Sequence, residues 1–208
     1  MRHSACLSLF LFAGFLAAQD RPRLLFREDW KETPAETPVT PAHLANADLV
    51  VSLHGPGRTA IKKSHHDKPA DDPYYIWMGE CPANCALSLR HRTLAADLTG
   101  QAKIRWRAKQ EGFRQLRIIV KLADGAWLVS DLADGPSADW REREFNVADI
   151  RWRRLDIEKV VEGVWVEKPD LSRVEEIGWT DLMIGGGSRA CSRVDWIEIY
   201  ARGVRRAK

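Results

Sequence analysis

KIRWRAKQEGFRQLRIIVKLADGAWLVSDLADG, residues 103–135, decides the fold. Ile104, Trp106 and Ala108 alternate with Lys103, Arg105, Arg107 and Lys109. A period of two sorts side chains onto two faces only in an extended strand. Leu116, Ile118, Val120 and Leu122 repeat the pattern, with Arg117 and Lys121 opposite them. Asp124-Gly125 then marks a hairpin turn, because the tight turns that match strand twist need positive φ. AWLVSD, residues 126–131, is the returning strand. The three segments are expected to form a meander, not a crossover, which would place Arg117 and Lys121 beside the basic stripe of Lys103, Arg105, Arg107 and Lys109.

The same punctuation continues on both sides. LVVSLHG (49–55) is a short apolar run stopped by Gly-Pro-Gly, and YYIWMG (74–79) and CALSLRHR (85–92) are strands joined through the turn CPANC. WREREFNVADI (140–150) is a strand ending in a turn, and WRRLDI (152–157) begins the next. In PDLSRVEEIGW (169–179), Asp170 or Ser172 can cap a helix, and Glu175 stands at capping-box distance from Ser172, which predicts a single helical turn. TDLMIGG (180–186) reads as a strand stopped by three glycines, and RVDWIEIYA (193–201) as the last strand. Many short strands without a sustained helical period predict an all-β, antiparallel two-sheet β-sandwich (jelly roll) with one or two short helical turns. Trp106 and Trp196 fall on apolar faces and are expected in the core; Trp77 and Trp152 are the tryptophans to test for exposure.

The first residues carry Arg2, an apolar run over residues 7–16 and then Ala17-Ala18. This is the layout of a secretory signal peptide, too short to span a bilayer, and implies a secreted or periplasmic protein without membrane insertion. Residues 19–46, broken by Thr-Pro steps, are expected to form an extended arm holding a first strand at LLF. Residues 47–201 form the sandwich, and the basic tail 202–208 lies outside the core. One domain fits this length. The net charge of +3 falls to +2 without the leader, which gives no reason to expect a nucleic-acid partner. Cys81, Cys85 and Cys191 remain: CPANC can close on itself, or Cys191 can pair with either member. Their spacing matches no zinc framework.

DLSRVEEIGWTDLMIGGGS (170–188) followed by SRVDWIEIYA (192–201) resembles the closing half of galactose-binding-like jelly rolls, a superfamily that includes carbohydrate-binding modules and complex I intermediate-associated domains. The resemblance implies a two-sheet sandwich in which the last strand lies beside the first, here LLFREDW, often with a structural calcium between them. Asp195 stands at the position that often binds this ion, and Glu28 or Asp29 could supply the partner carboxylate. Ser192 and Arg193 stand where sugar-binding modules often carry Asn.

Several residues are candidates for a site. His65, His66 and Asp67 share a loop, where two imidazoles could reach one ion with Asp67 or Asp71, or contact a ligand. Tyr75 and Trp77 suit a carbohydrate platform, because pyranose C–H groups pack on aromatic faces. Arg105, Arg107 and Arg117 could fork onto carboxylates or sulfates of acidic glycans. The competing reading is cross-strand pairing with Glu142 and Glu144, which alternate in the same way. No nucleophile elbow, zincin helix or phosphate loop occurs. The expected function is therefore an exported, non-catalytic glycan-binding or cell-surface interaction module, possible ligands including acidic polysaccharide. The alternatives are a polysaccharide-cleaving enzyme, with Arg neutralising a uronate and Tyr75 or His65 taking a proton, and a structural envelope protein.

Overall fold

A computed structural model describes residues 21–183 and 192–206. The expected leader, the glycine run and Cys191 lie outside the described residues. The first strands are β1 (Leu24–Glu28), β2 (Leu49–His54), β3 (Lys62–Ser64), β4 (Tyr75–Trp77) and β5 (Ala86–His91). Next come β6 (Leu94–Asp97), β7 (Lys103–Lys109), β8 (Leu116–Leu122), β9 (Trp127–Asp134) and β10 (Arg141–Asn146). The last are β11 (Trp152–Asp156), β12 (Val161–Val166), β13 (Val174–Thr180), β14 (Arg193–Tyr200) and β15 (Arg202–Arg205). Short 3-10 turns occur at Pro41–His43, Arg58–Ala60 and Val147–Asp149.

The strands make the expected antiparallel two-sheet sandwich. One sheet runs β10-β7-β14-β4-β3, with β1 also paired to β14. The other runs β12-β11-β9-β8-β13-β5-β2, with β6 joining β13 to β15. β1 lies beside β14, the strand that the resemblance placed next to it, and β15 follows in the other sheet. Phe26, Ile104, Trp106, Ile197 and Ile199 from one sheet meet Leu87, Ile118, Val120, Ile177 and Trp179 from the other in one buried cluster. Burial of this apolar surface drives the layers together.

The meander expected from residues 103–135 is only half present. β8 and β9 pair as the hairpin around Asp124-Gly125. β7 instead pairs with β10 and β14 in the opposite sheet. Both β7 and β8 carry one apolar face, and those faces are buried against each other across the interior when residues 110–115 carry the chain from one layer to the other. Arg117 therefore belongs to the second sheet, where it pairs with Glu162 at 2.8 Å.

Four other expectations change. Residues 169–179 contain no helical turn: Asp170 does accept the Ser172 amide at 3.0 Å and hydroxyl at 2.6 Å, but this local turn leads directly into β13, whose ladder to β8 and β5 satisfies the backbone. Of the strand expected over residues 180–186, only Thr180 belongs to a strand, the end of β13 (Val174–Thr180); residues 181–183 are not in one, and 184–186 lie outside the described residues. The basic tail is not left outside the layers, because Arg202–Arg205 pairs with β6 and Arg202 meets the buried Asp97. Trp152 is buried, whereas Trp165 on β12 is 45% exposed. Cys81 and Cys85 form a disulfide that closes the CPANC turn. No helix among the described residues is long and apolar enough to cross a membrane.

Candidate functional site

The outward face of the six-stranded sheet gathers most of the candidate residues. Cross-strand partners project from the same side of a sheet, so the register defines rows across the face. Lys62 stands opposite Trp77, Trp77 opposite Arg193, and Arg193 opposite Lys109. Deeper along the strands, Arg107 is opposite Glu142 and Trp196, and Arg105 is opposite Glu144 and Glu198. Glu198 is in turn opposite Arg27 on β1.

Aromatic rings form a layer under this face, and guanidinium groups lie over them. Arg193 is 5.3 Å from the Tyr75 ring centroid and 5.4 Å from that of Trp77. Arg107 lies 5.5 Å from the Trp140 ring, Arg27 and Arg105 lie 4.5 and 5.7 Å from Trp196, and Arg105 lies 6.0 Å from Tyr200. These distances fall within cation–π range. Tyr75 is fully buried and tilted against Trp140 at 5.3 Å, while Trp77, Trp140 and Tyr200 are half-buried. Trp196 is buried, but beneath Arg27 and Arg105 on the outer side instead of in the core. A bulge between Val194 and Trp196 shifts the alternation and turns it there.

Cross-strand pairing accounts for most of the basic stripe. Lys103 meets Glu144 at 2.6 Å, and Arg105 meets Glu142 at 3.0 Å and Glu198 at 3.1 Å. Arg107 meets Asp195 at 2.7 Å, and Arg27 meets Glu198 at 2.6 Å. Glu198 thus holds two guanidinium groups with its own side chain nearly buried. Such a network fixes the arginines over the rings more than it adds stability, since desolvation offsets much of the attraction. The Tyr200 hydroxyl and the neighbouring carboxylates hold the Arg105 pKa above its ordinary value, despite partial desolvation.

The histidine loop borders the face without forming an ion cage. His65 stacks on Tyr74 with centroids 4.1 Å apart, and its Nε2 is 4.0 Å from the exposed Asp67. His66 Nδ1 lies 2.9 Å from Asp72 and 3.1 Å from the Tyr75 hydroxyl. The two imidazoles therefore serve different neighbours. Among the described residues no group of three or more His, Cys, Asp or Glu side chains is arranged to hold a metal.

Glu28 and Asp195 also have separate partners. Glu28 is fully buried, beside its cross-strand partner Ile197, and accepts the backbone amides of Trp30, Ala45 and Asn46 at 2.9, 2.7 and 3.0 Å. Burial pushes its pKa up, and the three amides oppose that shift. Asp195 is engaged by Arg107 on the outer face; burial raises its pKa and the guanidinium opposes the rise. A calcium shared by these two carboxylates would have to displace both sets of donors. Chelation by EDTA is accordingly expected to leave the melting temperature within about 1 °C, whereas a fall of several degrees would reveal a stabilising metal.

Sequence reading picked out Tyr75, Trp77, Arg105, Arg107 and His66, which this surface brings together. It missed Arg27, Trp140 and Tyr200 as contributors, and it noted Arg193 only as a departure from Asn. Their common signal is strand register, not local composition.

No protein-family model matches the chain, and no curated protein matches it. Solved structures similar to it include a family 11 carbohydrate-binding module of a cellulosomal cellulase of Clostridium thermocellum, at 13% identity, covering 87% of this chain and 95% of that one, with a TM-score of 0.44. Another is a family 11 module from Clostridium thermocellum in complex with a β-1,3-1,4-mixed-linked tetrasaccharide, at 14% identity, 82% and 98% coverage and a TM-score of 0.46. An exo-β-agarase is similar at 11% identity and a TM-score of 0.39; the match covers 90% of this chain and 25% of the agarase.

Proposed function

We propose that this protein is an exported, non-catalytic module that binds glycans, acidic polysaccharides included, on the outward face of its six-stranded sheet. The observation that supports this reading most is the concentration of Tyr75, Trp77, Trp140, Trp196 and Tyr200 beneath fixed arginines on one face. Sugar rings combine an apolar C–H side with a rim of hydroxyls. Half-buried rings offer the first a surface, while guanidinium and carboxylate groups offer the second donors and acceptors. Strands hold these groups in place before binding, which lowers the ordering cost of a shallow contact.

The cleavage alternative needs Tyr75 or His65 to take a proton from substrate. Tyr75 is fully buried with its hydroxyl against His66, and His65 is stacked on Tyr74. Those positions favour binding over lyase chemistry.

The test is retention of the purified protein in affinity gels of neutral and acidic polysaccharides, with new chain ends assayed in parallel. Trp77→Ala is expected to weaken retention about tenfold or more, as loss of a central aromatic anchor does at other interfaces. Unchanged retention in that variant would remove the aromatic platform, and new chain ends would make the protein an enzyme.

A further inference from the structure

The two ends of this face differ in charge compensation. At the Arg105 and Arg107 rows, each guanidinium has carboxylate partners: Glu142, Glu144, Glu198 or Asp195. The row Lys62–Trp77–Arg193–Lys109 has three cations and no acidic member. Among the described residues, none of these three cations has a carboxylate within ion-pair distance; Lys62 lies over the Trp77 ring and Arg193 over those of Tyr75 and Trp77.

Arg193 is the centre of the row. Its guanidinium lies over Tyr75 and Trp77, and its Nε is buried with no hydrogen-bond partner among the described residues. Guanidinium packed on rings is held by its face and keeps its N–H edge for acceptors. Lys109 flanks it on the adjacent β7, and Lys62, with Nζ 5.8 Å from the Trp77 ring, lies on β3, beyond β4 on the other side. Three interstrand steps of roughly 4.8 Å make the row about 14 Å long. All four members are half-buried, so they contribute to the solvent-accessible surface. Like charges gathered on one protein surface concentrate counter-ions there.

We infer that the Lys62–Trp77–Arg193–Lys109 row is an oxyanion subsite of the glycan-binding face and selects polysaccharides bearing carboxylate or sulfate groups. The inference rests on the binding-face reading and adds its charge preference. Arg193 receives the anionic group through its fork, Lys62 and Lys109 supply charge on either side, and Trp77 packs against the sugar that carries the group. Arg105 and Arg107, already neutralised, hold the platform and contribute little to charge selection.

Affinity gels containing polygalacturonate, dextran sulfate or uncharged dextran, run with the full chain at low and high salt, separate the possibilities. The acidic polymers are expected to retain the protein more strongly than dextran, and added salt to weaken only that part. Arg193→Gln is expected to weaken acidic retention about tenfold by removing a charged hydrogen-bond donor, and to weaken any dextran retention much less. Should Arg193→Gln fail to fold, the double variant Lys62→Gln with Lys109→Gln is expected to lose acidic retention in the same salt-dependent way. Preference for polygalacturonate assigns a carboxylate to the row, and preference for dextran sulfate assigns a sulfate. Equal retention on all three gels, or acidic retention untouched by both variants, overturns the subsite while leaving the platform standing. Retention on none of them, with Trp77→Ala equally inert, overturns the platform as well.

Discussion

Trp106→Ala is expected to lower the melting temperature by roughly 6–20 °C, from a cavity cost of about 3–5 kcal/mol and about 2–4 °C per kcal/mol in a chain of this size. Trp106 is fully buried, meets Phe145 edge-to-face at 4.9 Å and donates from Nε1 to Asp134 at 2.9 Å. Asp134 is buried too and is also engaged by Arg141. Alanine removes the ring from between the layers and one donor from that carboxylate. Trp106→Phe separates the two effects: it retains most of the volume and isolates the lost donor, expected at about 1–3 kcal/mol. Because Arg105 and Arg107 flank Trp106 on the outer face, the alanine variant should also weaken glycan retention below its melting point. A loss under about 1 kcal/mol in thermal and denaturant unfolding would mean that the interior refills this space, and the tight packing argued for β7 would fail.

Strand periodicity made the sandwich legible because a two-residue period reports which side chains share a face. It does not report which strand lies alongside. β7 and β8 have the same alternation whether they pair in one sheet or face each other across the core, and only burial of both apolar faces selects the latter. Charge alternation carried more information: Arg105 and Arg107 do lie opposite Glu144 and Glu142. Trp196 escaped the pattern because the bulge at the start of β14 breaks strict alternation. Helix-cap chemistry at Asp170 was legible, but the same side-chain bonds close a turn before a strand. The charged row of the candidate site was the least legible feature. Lys62, Trp77, Lys109 and Arg193 are scattered over 132 positions of the sequence and meet only through three strand pairings.

Gly178→Ala is expected to be at least as damaging as Trp106→Ala, through backbone separation instead of a cavity. β13 lies between β5 and β8, with Gly178 opposite Ser88 on one side and Ile119 on the other. A Cβ at Gly178 would stand 1.8 Å from the Leu87 carbonyl oxygen, 2.6 Å from the Ser88 Cα and 2.8 Å from the Leu87 carbonyl carbon. All three are backbone atoms, so no rotamer change makes room, and the strands must move apart. That movement would strain the ladder beside Trp179, which packs on Trp30 at 6.1 Å, and the buried Ser88–Glu176 hydrogen bond of 2.7 Å. Several such losses together place the expected cost above about 4 kcal/mol, near or beyond the stability margin of many domains. Gly135→Ala is the matched control, since a Cβ there meets nothing within 4 Å. Circular dichroism melts of both variants should give a near-native Gly135→Ala and a Gly178→Ala that is unfolded or melts more than about 8 °C early. If Gly178→Ala instead melts with the wild type, β5 and β13 do not approach this closely. Both sheets share one buried core, so an intact β5–β13–β8 ladder also supports the opposite layer, on which the rings beneath Arg193 and Arg105 depend for their positions.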